Sequence, residues 1–117
     1  MDLRELVRAI LAGDLLTARQ WVADAQRAEM RWPMVEKPLG LDRREMTVAA
    51  GVAELLATRA GTAPPRWVAS IGPNDVPLVL DPGLENMPRT LAHAKEEGPE
   101  PFRRRNLIAS PDFLSLR

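Results

Sequence analysis

Nine of the eleven prolines in this 117-residue chain fall between residues 64 and 117, and the first 63 residues hold only Pro33 and Pro38. Proline lacks a backbone donor and its ring clashes with the preceding helical turn, so long helices are confined to the first half. The second half must be made of short helices and extended segments laid over that helical base. No linker or low-complexity tract separates the halves, and a chain of this length suits one continuous core. The expected fold is mainly α, a single domain over residues 1–117. It is a small helical bundle with a proline-rich C-terminal half and little or no β-structure. Long helices occupy 1–62, and a crossover, short helices and a docked tail occupy 63–117.

Apolar spacing predicts three helices in the first half. Asp2 is a candidate N-cap, and Leu3, Leu6, Val7, Ile10 and Leu11 share one face. Gly13 ends that helix and Asp14 caps a second, expected from about Leu15 to Arg31, with Leu15, Ala18, Val22 and Ala25 as its buried stripe and Trp21 on the flank. So short a break makes a helical hairpin or a sharply angled pair. Asp42 and Glu45 have capping-box spacing, so a third helix is expected from Arg43 to Ala60, stopping at Gly61. It is rich in Ala and apolar around much of its circumference, which places it centrally; Gly51 in its middle points to a crossing neighbour. Residues 66–71 and 76–80 read as short extended segments that pair with each other or drape over the helices. Asn86 is expected to cap a short helix carrying Pro88 in its first turn and reaching Gly98. Glu100-Pro101 then opens a last turn or two before an apolar tail.

Sixteen basic and sixteen acidic side chains cancel, so the chain lacks the cationic excess that drives generic nucleic-acid or membrane binding. The absence of Cys rules out disulfides, thiol catalysis and cysteine zinc sites. The single histidine, His93, has no Ser or carboxylate placed by sequence to act with it, and Glu96 and Glu97 nearby make a surface ion pair the simpler reading. The seven glycines fall in no phosphate-loop spacing and the acids in no calcium-loop pattern. The expectation is a protein that is not an enzyme, with no catalytic residue, metal or cofactor. No run approaches the roughly 20 apolar residues of a membrane span, and the charged N-terminal stretch lacks a signal-peptide core. The expected location is cytoplasmic, without membrane contact.

Binding surfaces remain. Trp21, Trp32 and Trp67 each have an arginine close by, namely Arg19, Arg31 and Arg66. Trp and Arg dominate interface hot spots, although Trp is more often core or core edge. Met30, Trp32 and Met34 form an adaptable apolar run suited to a docking edge or a core margin. Residues 103–105 set three arginines side by side. One reading pairs Arg103 with Glu100 and leaves Arg104 and Arg105 to face an acidic or phosphate-bearing partner; the other places all three at a helix end, where the dipole favours cations. Leu107, Ile108, Phe113, Leu114 and Leu116 carry too much apolar area to stay in water, so the tail docks on the chain's own helices or on another chain. The candidate partner-binding residues are therefore Trp21, Trp32, Trp67, Arg104, Arg105 and Phe113.

The stretches GDLLTARQWVADA (13–25), REMTVAAGVAELLATRAGTAPPRWV (44–68) and EGPEPFRRRNLIASPDFL (97–114) together resemble a group of small bacterial helical proteins. Chains of that group end in a tail of the form ESPEPFRRRN followed by apolar residues and a proline. The matching tail residues here are Glu100, Pro101, Phe102, Arg103, Arg104, Arg105, Asn106 and Pro111. The resemblance covers most of the chain and implies a protein encoded beside a nucleotidyltransferase-like partner in a two-gene, toxin–antitoxin-like pair. The preferred expectation is a non-catalytic protein-interaction module, the antitoxin-like or accessory member of a two-protein bacterial system, binding a protein partner or itself. The alternative is a sequence-specific DNA-binding repressor using a helix-turn-helix. Against it, the turn at Gly13 is abrupt, and the helix that follows offers few base-reading side chains besides Arg19, Gln20, Gln26 and Arg27.

Overall fold

Acidic caps set the first helices. In a computed structural model that describes residues 2–116, Asp2 accepts the Arg4 amide at 2.9 Å and opens α1 (Leu3–Leu11). Asp14 accepts the Thr17 amide at 3.1 Å and opens α2 (Leu15–Arg27). Between them Gly13 takes φ +75, a left-handed conformation that lets the Asp14 amide donate back to the Ala9 carbonyl at 2.9 Å. The chain therefore reverses, and the Trp21 indole of α2 donates to the Asp2 carbonyl at 3.0 Å. The two helices form a hairpin. α2 stops four residues earlier than expected because Glu29 turns left-handed (φ 51) and the Met30 amide closes on the Ala25 carbonyl at 3.1 Å.

The third helix, α3 (Arg43–Arg59), starts on the expected capping box, with Glu45 amide to Asp42 at 2.8 Å and Asp42 amide to Glu45 at 3.0 Å. Every residue from Thr47 to Ala57 is buried except Glu54, which is half-buried. Few side chains larger than Val lie along this stretch, so neighbours approach on several sides: α1, the short helix α5 (Glu100–Arg103), and 3-10 turns at Trp32–Met34 and Arg66–Ser70. The expected crossing at Gly51 is present. A Cβ there would sit 3.0 Å from the Leu107 side chain and 3.1 Å from the Phe102 ring.

The proline-rich half departs from expectation at three points. Residues 66–71 are not extended: after Pro65 at φ −59 the chain coils into the 3-10 turn Arg66–Ser70, which buries Val68 against α3. The strand β1 (Leu78–Val79) instead pairs in parallel with β2 (Leu107–Ile108) from the tail, Leu78 opposite Leu107 and Val79 opposite Ile108. Two residues per strand keep the fold mainly α. The short helix α4 (Pro88–Glu97) has Pro88 in its first turn as expected, but Asn86 closes a preceding 3-10 turn and Met87 occupies the cap without a side-chain bond. The tail docks on its own chain: Leu107, Phe113 and Leu114 are buried, and the Phe113 ring meets Phe102 edge-on at 5.6 Å. Leu114 accepts φ 61 to keep that burial.

Two tests follow from this packing. Gly51→Val adds an isopropyl group where Phe102 and Leu107 already approach the backbone, and should lower stability by about 1–3 kcal/mol in urea unfolding. An unchanged midpoint would mean that the tail yields at this crossing. The second concerns acid. The Arg4 side chain and then its amide hold Asp2 below the usual carboxylate range, and the Thr17 hydroxyl and amide do the same for Asp14. Because the folded-state values are depressed, the stabilisation is present above about pH 4 and is lost as pH falls through them. Asp14→Ala should flatten the acid limb of a plot of urea midpoint against pH.

Candidate partner-binding site

Glu54 is the one acidic residue in the buried stretch of α3, and it gathers the tail's arginines. The Arg105 guanidinium reaches its Oε1 at 3.0 Å, and Arg104 bonds its Oε2. Arg105 is only 5% exposed; it also donates to the carbonyls of Pro101 at 2.9 Å and Val68 at 3.3 Å. Its burial, and secondarily the adjacent Arg104 charge, pull its pKa below the usual arginine value. A guanidinium still remains charged at any ordinary pH. Arg105 therefore ties α5, the 66–70 turn and α3 together, contrary to the expectation that it faces a partner. Arg104 remains half exposed. Nor does Glu100 neutralise Arg103: the Arg103 Nε donates to the Gly98 carbonyl at 2.9 Å, and the Glu100 carboxylate lies 3.8 Å from Arg104.

The aromatic candidates divide in the same way. Trp21 and Trp32 are buried side by side, their rings 6.4 Å apart, so Trp21 is core rather than flank. Trp67 is half-buried and pins the loop after the Trp32–Met34 turn by donating to the Val35 carbonyl at 2.9 Å. Phe113 lies in the core against Phe102. The apolar run is split: Met30 is half-buried, Trp32 buried and Met34 75% exposed.

Of these residues, Met30 and Trp32 line a groove. The groove, of about 1280 Å³, runs between α2, the end of α3 and the tail. Its floor includes Val22, Trp32, Leu56 and Leu114. One wall carries Arg19 and Gln26 of α2 and Glu29 just past its end, basic at one end and acidic at the other. Opposite, the tail presents Asp112 and the partly exposed Leu116. Arg59, at the end of α3, fixes this tail wall by donating to the carbonyls of Phe113 and, at 3.2 Å, Pro111. The Ser110 amide donates to Asp81 at 2.8 Å and anchors the tail's start.

Three functional side chains, Glu54, Arg59 and Asp81, were not singled out from sequence. Glu54 had a signal: it is a lone carboxylate within the otherwise apolar run Val48–Leu56. Arg59 and Asp81 look like ordinary surface charges, because their partners are backbone groups more than 25 residues away.

Among the described residues no group of three His, Cys, Asp or Glu side chains is placed to hold a metal ion, and no helix is long and apolar enough to cross a membrane. His93 is exposed on α4. No family model, curated protein or solved structure matches the chain.

The arginines are distinguished by their effect on folding. Arg105→Gln and Glu54→Gln each break a largely buried ion pair and should cost about 3 kcal/mol or more, whereas Arg104→Gln should stay within about 1 kcal/mol. Urea midpoints for the three variants measure this order, and equal losses for Arg104 and Arg105 would refute it.

Proposed function

We propose that this protein is a non-catalytic protein-interaction module, the antitoxin-like or accessory member of a two-protein bacterial system. The groove between α2 and the tail carries this reading. It combines an apolar floor with a charged rim, and its walls are fixed by the hydrogen bonds of Arg59 and Asp81. Such a groove fits the apolar face of an amphipathic helix. Arg19 stands on α2 and Glu29 just beyond its C-terminal end, so the two charges mark opposite ends of this wall. The complementary segment is therefore an amphipathic partner helix, acidic where it passes Arg19 and basic where it passes Glu29. By the resemblance of the tail, the partner is the nucleotidyltransferase-like protein of a neighbouring gene.

The repressor alternative is less well supported. Of the four base-reading candidates on α2, Gln20 donates to Asp24 at 2.9 Å and Arg27 forms an ion pair with the same carboxylate. Half of that polar face is thus engaged within the helix.

Co-expression with the protein encoded by the adjacent reading frame tests the proposal. The two should copurify in fixed stoichiometry. Arg19→Glu and Leu116→Asp, both at exposed groove positions, should weaken the complex at least tenfold while leaving the isolated protein's melting temperature nearly unchanged. A complex that forms unaltered with both variants places the interface elsewhere, and a sequence-selective, salt-sensitive gel shift by this protein alone would favour the repressor.

A further inference from the structure

A second cavity, of about 420 Å³, lies beside the Glu54 cluster on the proline-rich crossover and is distinct from the groove. Its charged lining is one-sided: it holds Arg66, Arg104 and Arg105 and the single carboxylate of Glu54. Two positive charges are left in excess, in a chain whose charges cancel overall. The rest of the lining is apolar, including Pro64, Pro73 and Ile71.

The hydrogen bonding points the same way. Glu54 accepts two guanidinium groups although one is enough to neutralise it. Arg105 is buried and held by two carbonyls as well, so it stays on Glu54 if Arg104 leaves. Arg104 is half exposed and is free to swing to a new anion without stranding the carboxylate. Arg66 is exposed and has no acidic partner among the described residues. Arg105 Nε, on a side chain that lines this cavity, is the one buried side-chain polar atom among the described residues without a hydrogen-bond partner. Buried donors without partners are uncommon and often mark the place of an ion or bridging water.

We infer that this cavity binds a phosphate dianion carried on a small molecule with a partly apolar body. Two excess charges match a dianion, and the planar forks of Arg66 and Arg104 match its tetrahedral oxygens. The cavity is several times larger than a phosphate group, and the prolines and Ile71 give the remainder of the ligand an apolar surface. This site is independent of the partner groove.

The intact protein is titrated with inorganic phosphate, and separately with phenyl phosphate, at constant ionic strength and followed by ¹H–¹⁵N NMR. Saturable shifts are expected around residues 64–73 and 104–105, with phenyl phosphate binding about tenfold more tightly because its ring is buried. Binding should strengthen as pH rises through about 6, where a phosphate monoester loses its second proton. Arg66→Gln and Arg104→Gln should each weaken it about tenfold with unfolding midpoints nearly unchanged. The assignment is overturned by shifts that fail to saturate, that chloride reproduces, or that survive both substitutions. Saturable binding of succinate without phosphate would overturn it in favour of a carboxylate ligand. Equal affinity for the two phosphates would remove the apolar body from the proposal.

Discussion

The fold depends on the contacts between α3 and the C-terminal segment, made by a small residue, a carboxylate and a guanidinium of the helix in turn. At Gly51 the missing side chain admits Phe102 and Leu107 to the helix backbone. Three residues later Glu54 receives Arg104 and Arg105, and at the helix end Arg59 holds the carbonyls of Pro111 and Phe113. The C-terminal segment therefore meets α3 by packing at Gly51, by charge at Glu54 and by hydrogen bonds at Arg59. Each contact sets the register for the next. The side chains at Gly51 fill a defined gap, Arg105 has three oxygens to satisfy, and Arg59 bonds carbonyls whose spacing depends on the turn at Leu114.

Both surface features follow from these contacts. The tail could not form one wall of the groove unless Phe113 and Leu114 were buried beside α3, because only then do Asp112, Ser115 and Leu116 face α2. The second cavity lies where the 66–70 turn and α5 meet Glu54, and its positive excess arises because two arginines bond one carboxylate while Arg66 lines the same cavity. A left-handed Leu costs backbone energy, about 1–2 kcal/mol for an L-residue, and here the burial of its side chain offsets that cost.

Local rules made much of the helical half legible. The caps Asp2, Asp14 and Asp42 act through amides two or three residues away, so their signals lie within a single turn of sequence. The early end of α2 escaped notice because Glu29, which is not glycine, takes the left-handed position. The Trp67 segment looked extended because its apolar residues alternate, yet burial against α3 reaches only Val68 and the chain coils around it. Of the six residues expected at a partner surface, Trp21, Trp32, Arg105 and Phe113 are buried, and only Trp32 among these lines the groove. Residue type marked them as energetically important without saying which surface they cover, since Trp, Arg and Phe do the same chemistry in a core as at an interface.

What the sequence determined by itself is the helical class, the short break between the first two helices, the central α3 with a close crossing at Gly51, and a tail too apolar to remain in water. Each depends on spacing within one element or on composition. Tertiary structure alone decided that the tail covers its own chain, that β1 pairs with it, and that Arg105 serves folding while Arg104 and Arg66 stay at the surface. The reason is distance along the chain. Glu54 and Arg105 are separated by more than 50 residues, as are Arg59 and the tail carbonyls, and no periodicity in the sequence records which charge will find which. The three adjacent arginines are chemically alike, and only the position of Glu54 on a packed helix makes one of them structural and leaves another free for a ligand.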